Sequence, residues 1–466
     1  MSNEIDVKEL KKSLFSEKKN AGALLCDDDI NKADSFCENY KKFLDFGKTE
    51  REACSYSEKL ARENGFVEYK SGMNLNAGDK IYRINRGKAI ILAVIGTQDI
   101  SQGINLCAAH IDSPRLDLKQ NPLYEECEMA LFKTHYYGGI KKYQWTTIPL
   151  ALHGVIIKAN GEKVEVCIGE NDDEPVFCIT DLLPHLAQDQ MKRTLAQGIK
   201  GEELNILIGS RPFKSDDSSE AVKLNILKLL NEKYGIVEDD FISAELEAVP
   251  AFKARDIGFD RSMIGAYGHD DRVCAYTALK AILDCESPQK TACVVLTDKE
   301  ETGSDGNTGL QSAYLKYFIA DIAEALGAKP RDVISATKCL SADVNAAFDP
   351  TFPEVNERRN AAFINKGVVI TKFTGARGKS GTSDASAEFV GEIRSLLDKA
   401  GIIWQTGELG KVDMGGGGTV AAYLANLNFE VIDAGVPVLS MHAPFEIVSK
   451  LDVYMTYRTF CAFMGV

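Results

Sequence analysis

Five short acidic or histidine patches punctuate this chain: His110-Ile111-Asp112, Asp270-Asp271, Glu300-Glu301, Asp343 and His442. Each falls where an apolar, strand-like run ends or a small-residue turn begins. Residues 105–109, 292–297, 333–341 and 436–440 read as strands, and 271–284, 310–325 and 383–400 as helices. Strand–helix alternation of this kind implies an α/β layer with a mixed, largely parallel sheet flanked by helices. In such sheets ligands gather at the carboxyl ends of the strands. The patches fall there: His110 after 106–109, Glu300 after 294–297, Asp343 after 333–340 and His442 after 438–440.

At 466 residues the chain exceeds the size at which one core usually stops growing, so two domains are expected. The N-terminal part reads as helices, with Ala33, Phe36, Tyr40, Phe43 and Leu44 at three-to-four spacing and a second helix from Glu50 to Asn64. Between 121 and 243 the texture changes. Short β-rich runs at 154–158, 164–168 and 204–208 alternate with turns such as Asn160-Gly161, and one helix covers 218–234. No complete catalytic set is found in this segment. Residues 121–243 are therefore expected to form an inserted β-rich domain, and 1–120 plus 244–466 the catalytic domain.

A net charge of −14 argues against nucleic acid or an anionic membrane as a partner. Residues 1–19 are polar, without the apolar core of a signal peptide, and the most apolar windows are too short to span a bilayer. Twelve cysteines without a Cys-x-x-Cys pair read as reduced thiols, which points to the cytoplasm.

Two His, an Asp able to bridge and paired Glu are what two hydrolytic metal ions require. Zinc takes imidazole and carboxylate ligands at about 2.0–2.2 Å. Two ions need one carboxylate reaching both, and a free carboxylate to take a proton from water. His110 and Asp112 are two apart at a strand end, so Asp112 can accept the second N–H of His110 and fix its tautomer. Asp270-Asp271 opens a helix, where one Asp can bind metal and the other cap the helix. Adjacent Glu300 and Glu301 after a buried strand suggest divided labour, one a ligand and one a general base. His135, His153 and His269 read as structural. Glycines 415–418 lack the Gly-Lys-Ser/Thr ending of a phosphate loop, so they read either as a plain flexible turn or as a place where a substrate approaches the backbone closely.

The order His-x-Asp, Asp-Asp, Glu-Glu, Asp, His resembles the co-catalytic zinc aminopeptidases. The stretches AHIDSPRLDLK, YYGGI, DKEETGSDG, SADVNAAFDP, GGGGTV and MHAPFEIVSKLDV resemble the aspartyl aminopeptidase family over essentially the whole chain. The resemblance implies one metal ion on His110, Asp270 and Asp343 and another on Asp270, Glu301 and His442. Zinc is the expected metal, with cobalt or manganese as alternatives. It implies Glu300 as the catalytic base, Asp112 beside it, and Gly417 in the glycine run near the substrate. His185 resembles a family histidine that reaches a neighbouring subunit's active site. The implied partners are peptides with a free N-terminus, and copies of the chain assembled through the inserted domain, as a dodecamer built from dimers. Two positions depart from the common wording, Asp271 and Thr302, and neither removes a ligand. The segment 374–384 matches poorly where an acidic side chain would be selected; Arg377 and Lys379 are its candidate partners for a substrate carboxylate. The alternative class is a dinuclear deacylase or carboxypeptidase. It is disfavoured because its extra domain lies between the later ligands.

Overall fold

The computed structural model describes residues 7–214 and 219–466. A nine-stranded sheet runs in the order Val67–Glu68, Lys80–Asn85, Ala89–Val94, Ala292–Thr297, Asn105–His110, Lys338–Ser341, Glu430–Gly435, Val368–Thr371 and Trp404–Thr406. From Ala292–Thr297 to Glu430–Gly435 the neighbours are parallel, and antiparallel strands flank this central group on both sides. Every residue of Ala89–Val94 and Ala292–Thr297 is buried, because helices cover both faces. Alternation along the strands decides which face each side chain joins. Ile90, Leu92, Val294 and Leu296 pack with helices His269–Leu283 and Lys450–Met464. Ile91, Ala93, Cys293 and Val295 pack with Tyr314–Ala325 and Pro330–Ala336.

A second, antiparallel sheet of seven strands has its own core around Trp145, Leu152, Phe132 and Leu246. It draws on Arg115–Glu126 and Ala244–Pro250, so its strands extend a few residues beyond both ends of the 121–243 segment. A third sheet of five strands carries Glu446–Ser449 and Pro437–Leu439 beside Met263–Ala266. Among the described residues, no helix is long and apolar enough to cross a membrane. All twelve cysteines are free thiols.

Most expected elements are present with shifted ends. The helix expected over 218–234 runs Ala221–Tyr234, and its expected first residue lies outside the described residues, as do the first six of the polar start. The strand expected over 333–341 is replaced in its first half by a helix, Pro330–Ala336, and only Lys338–Ser341 is extended. Pro330 sits in the first helical turn, where its missing N–H costs nothing and its fixed φ favours helix. The β-branched pair Val333-Ile334 reads as strand, yet Val333 is a helical residue buried against the sheet.

A buried ion network bolts the second sheet to the N-terminal helices. His153 Nδ1 lies 2.8 Å from Glu52 Oε1 and its Nε2 lies 3.1 Å from Glu170 Oε1. Glu170 also accepts from Lys48 at 2.6 Å and Lys253 at 2.5 Å. Burial works against charge on His153, but hydrogen bonds to Cys167, Glu170 and Glu52 outweigh it and raise its pKa from 6.5 to about 11. Because the folded value lies above the ordinary one, this contribution is complete below pH 6.5 and is lost as pH rises towards 11. His153→Gln is therefore expected to cost on the order of 2–3 kcal/mol at pH 6. Urea unfolding of both proteins between pH 6 and 10 checks this. The difference should shrink steadily with pH, and a constant difference would mean that packing, not charge, is what the histidine provides.

Candidate metal centre

The central parallel strands end at one edge of the large sheet, where three of them lead to His110, to Glu300 and Glu301, and to Asp343; His442 and Asp270 arrive from strands of the five-stranded sheet. His110 closes the strand Asn105–His110 and pairs in register with Thr297, three residues before Glu300. Asp343 follows Lys338–Ser341, and His442 follows Pro437–Leu439. Asp270 enters from the start of helix His269–Leu283, where it and Asp271 have non-helical backbone and share a cis peptide bond. Asp271 is fully buried beside Cys274 and belongs to neither group of candidate ligands.

Asp270 is the hub. Its Oδ1 lies 3.1 Å from His110 Nε2 and its Oδ2 lies 3.2 Å from His442 Nε2. Two groups of side chains share it, His110–Asp270–Asp343 and Asp270–Glu301–His442, and within each the ligand atoms lie within 4.8 Å of one another. Glu301 Oε2 is 3.6 Å from His442 Nε2, and Glu301 Oε1 is buried without a hydrogen-bond partner. Glu300 belongs to neither group; its Oε2 stands 3.8 Å from His110 Nε2.

The far ring nitrogens are fixed by acceptors. His110 Nδ1 faces the Asp112 carbonyl at 3.0 Å and its carboxylate at 3.2 Å, and His442 Nδ1 faces the Gly139 carbonyl at 2.7 Å. Oxygens of these kinds only accept, so Nδ1 carries the hydrogen in both rings. Each Nε2 lone pair then faces a carboxylate that also only accepts. Such an arrangement requires a cation between them, a proton or a metal. Burial disfavours charge on His442, but Asp270 and Glu301 raise its pKa to about 10, and His110 is likewise raised against its burial by Asp112 and Asp270. Asp270 is held well below the usual carboxylate range: burial opposes this, and hydrogen bonds from both histidines prevail. Burial, with Asp270 and Asp112 nearby, pushes Glu300 up to about 7. Asp343 is raised by burial and by the carboxylates of Asp271 and Glu300.

These groups open into a cavity of about 480 Å³, lined also by Asn345, Thr374, Tyr423 and glycines 416–418. None of its lining residues is Lys or Arg, so the donor set and its charge suit divalent cations. At Gly416 a Cβ would stand 2.4 Å from the Ala376 backbone, which keeps this wall thin. Arg377 and Lys379 do not line the cavity, contrary to expectation. Lys379 donates to Asp384 at 2.8 Å and lies over the Phe373 ring, so its charge is spent within its own loop. His185 is exposed in the second sheet's connections and lies outside the cavity of its own chain.

Sequence reasoning passed over Glu446, whose buried carboxylate accepts from the backbone N–H of Asp270 at 3.0 Å and of His442 at 2.7 Å. The signal was a lone acidic residue beginning the apolar run Glu446–Ser449. It also passed over Tyr137 and Gly139 in YYGGI.

A family model described as aminopeptidase I zinc metalloprotease (M18) matches residues 43–464. The chain belongs to the M18 family of zinc metallo-aminopeptidases. This aminopeptidase is 50% identical over 460 residues to the protein named "Probable M18 family aminopeptidase 1" of Clostridium acetobutylicum, covering 97% of this chain and 99% of the relative. Its fold matches the crystal structure of an M18 aminopeptidase from Thermotoga maritima with a TM-score of 0.92 at 45% identity, over 97% of this chain and 99% of that one. A more distant match is S. cerevisiae mApe1, solved as a dodecamer, with a TM-score of 0.75 at 21% identity over 93% and 97% of the two chains. The aminopeptidase therefore acts as a metal-dependent hydrolase of peptide N-termini.

Proposed function

We propose that the enzyme uses two divalent ions, zinc in the first instance, with His110, Asp270 and Asp343 holding one and Asp270, Glu301 and His442 the other. The observation that carries this reading is the single carboxylate of Asp270 between two histidine nitrogens, at 3.1 and 3.2 Å. Bound there, the ions would supply Lewis acidity, polarising a peptide carbonyl and acidifying water. Glu300 then takes the proton of the attacking water and returns it to the leaving amine. Asp112 orients His110 and takes no part in proton transfer. The backbone of glycines 416–418 lies along the peptide.

The walls beyond the carboxylates are uncharged, with Val344, Leu409 and Met441 beside Asn345 and Thr374. In this reading the favoured N-terminal residue is therefore uncharged rather than Asp or Glu. Residues 121–243 form the inserted unit that joins copies of the chain. Support comes from Leu182, Leu183, Leu186, Met191 and Leu195, all at least half exposed around His185. The dodecameric state of S. cerevisiae mApe1 is consistent with such an assembly.

The test is cleavage of N-terminal Leu, Asp and Glu anilides by metal-stripped protein before and after adding Zn²⁺, Co²⁺ or Mn²⁺. Metal-restored release, fastest for Leu, is expected, with no release from an amine-blocked substrate. Faster release from Asp or Glu would overturn the specificity and require a cation from a neighbouring subunit. No release with any metal would overturn the two-ion reading.

A further inference from the structure

The turn at residues 137–139 reaches the metal centre from the second sheet, at the end of strand Met129–Tyr137. It touches both halves of the centre. Tyr137 Oη donates to Asp112 Oδ2 at 2.7 Å, and Asp112 in turn faces His110 Nδ1. Two residues on, the Gly139 carbonyl accepts from His442 Nδ1 at 2.7 Å. Between them, Gly138 lies so close to Glu301 that a Cβ would stand 3.2 Å from its Oε2 and 3.3 Å from its Cβ. A Cβ on Gly139 would stand 3.4 Å from His442 Nδ1. Gly138 and Gly139 thus abut Glu301 and His442 of the second ligand group, and Tyr137 reaches His110 of the first through Asp112.

Asp112 extends this reach. Its two oxygens also accept from the backbone N–H groups of Glu300 and Glu301, each at 3.2 Å. A carboxylate with donors from four directions has one orientation, and Tyr137 supplies its shortest hydrogen bond. Tyr137 is itself held. Its ring lies under the Arg115 guanidinium at 3.9 Å, and Arg115 is anchored to Asp117 at 2.8 Å and Glu247 at 3.1 Å within the second sheet. A chain of contacts therefore runs from the interior of that sheet to both imidazoles.

We propose that residues 137–139 are the positioning element of the metal centre, setting the tautomer and aim of His110 through Tyr137 and Asp112 and of His442 through the Gly139 carbonyl. The seven-stranded sheet is thereby part of the metal centre, not merely attached to it. This rests on the two-ion reading above. Outer partners of metal-bound histidines are worth about 10–100-fold in affinity; this turn supplies the partner of His442 directly and anchors Asp112, the partner of His110.

The test is Co²⁺ titration of the metal-stripped full-length protein, followed by visible absorption, for wild type, Tyr137→Phe and Gly138→Ala. Phe keeps the ring under Arg115, so the metal-free variant should still unfold cooperatively, with its thermal midpoint lowered only by the loss of the one hydrogen bond to Asp112. One Co²⁺ should bind about 10–100-fold more weakly in Tyr137→Phe, with an altered spectrum. Its kcat should fall at limiting metal and recover in excess metal, with KM for a Leu anilide unchanged, as expected when the hydroxyl acts through the ligand alone. Gly138→Ala, whose Cβ presses on Glu301 in a left-handed backbone (φ +75°), should weaken the other Co²⁺. A Tyr137→Phe protein with wild-type Co²⁺ affinities and spectrum would overturn the positioning role. Wild type that takes up no Co²⁺ would overturn the two-ion reading itself, and the two failures are thus distinct.

Discussion

Glu300→Gln is expected to lower kcat by about two to four orders of magnitude while leaving bound metal at the wild-type level. The two adjacent glutamates do different things in this geometry. Glu301 belongs with Asp270 and His442, whereas Glu300 stands outside both ligand groups, 3.8 Å from His110 Nε2. Gln preserves the size of the side chain and its place in the cavity, and only its capacity to take a proton is lost. The measurement is steady-state kinetics on a Leu anilide, paired with metal content by elemental analysis. A variant that loses metal along with activity would make Glu300 a ligand. One that keeps near-normal turnover would remove it from the chemistry.

The parts of this centre that were legible in the sequence share a physical cause. A strand covered by helices on both faces must be continuously apolar, so 292–297 stands out and the charged residue after it is conspicuous. The same logic brought out His110 and Asp343, although the strand before Asp343 proved half as long as read, because Pro330 starts a helix that the β-branched Val333-Ile334 pair disguises; His442 follows an apolar strand of the five-stranded sheet instead. What stayed hidden acts across large separations or through the backbone. Glu446 holds the N–H groups of Asp270, 176 residues away, and of His442 from the strand that pairs between the two strands leading to them. Gly139 contributes only a carbonyl oxygen. Gly139 has no local pattern, since packing alone brings it to the site, and Glu446 offers only a lone acidic residue at the head of an apolar run. Arg377 and Lys379 show the converse, lying outside the cavity of this chain. They lie in a segment of suggestive charge, but Asp384 is close by in the same loop and takes the lysine.

Asp270→Ala is expected to abolish activity and to weaken both ions, where loss of any other ligand should weaken chiefly one. The asymmetry follows from the two oxygens of one carboxylate, 3.1 Å from His110 and 3.2 Å from His442. Asp343 serves only the first group and Glu301 only the second. An outer partner is worth at most about 100-fold in metal affinity, so a shared direct ligand should exceed that at each ion. The fold around it should survive. Glu446 grips the Asp270 backbone N–H and not its side chain, and Ser113 Oγ donates to the Asp270 carbonyl at 2.6 Å. Both contacts remain in the alanine variant. Metal-binding isotherms for Asp270→Ala and Asp343→Ala, recorded side by side, separate the cases. Two weakened steps in the first and one in the second are expected. One weakened step in both would mean that the groups do not share Asp270, and the centre would then be two independent sites.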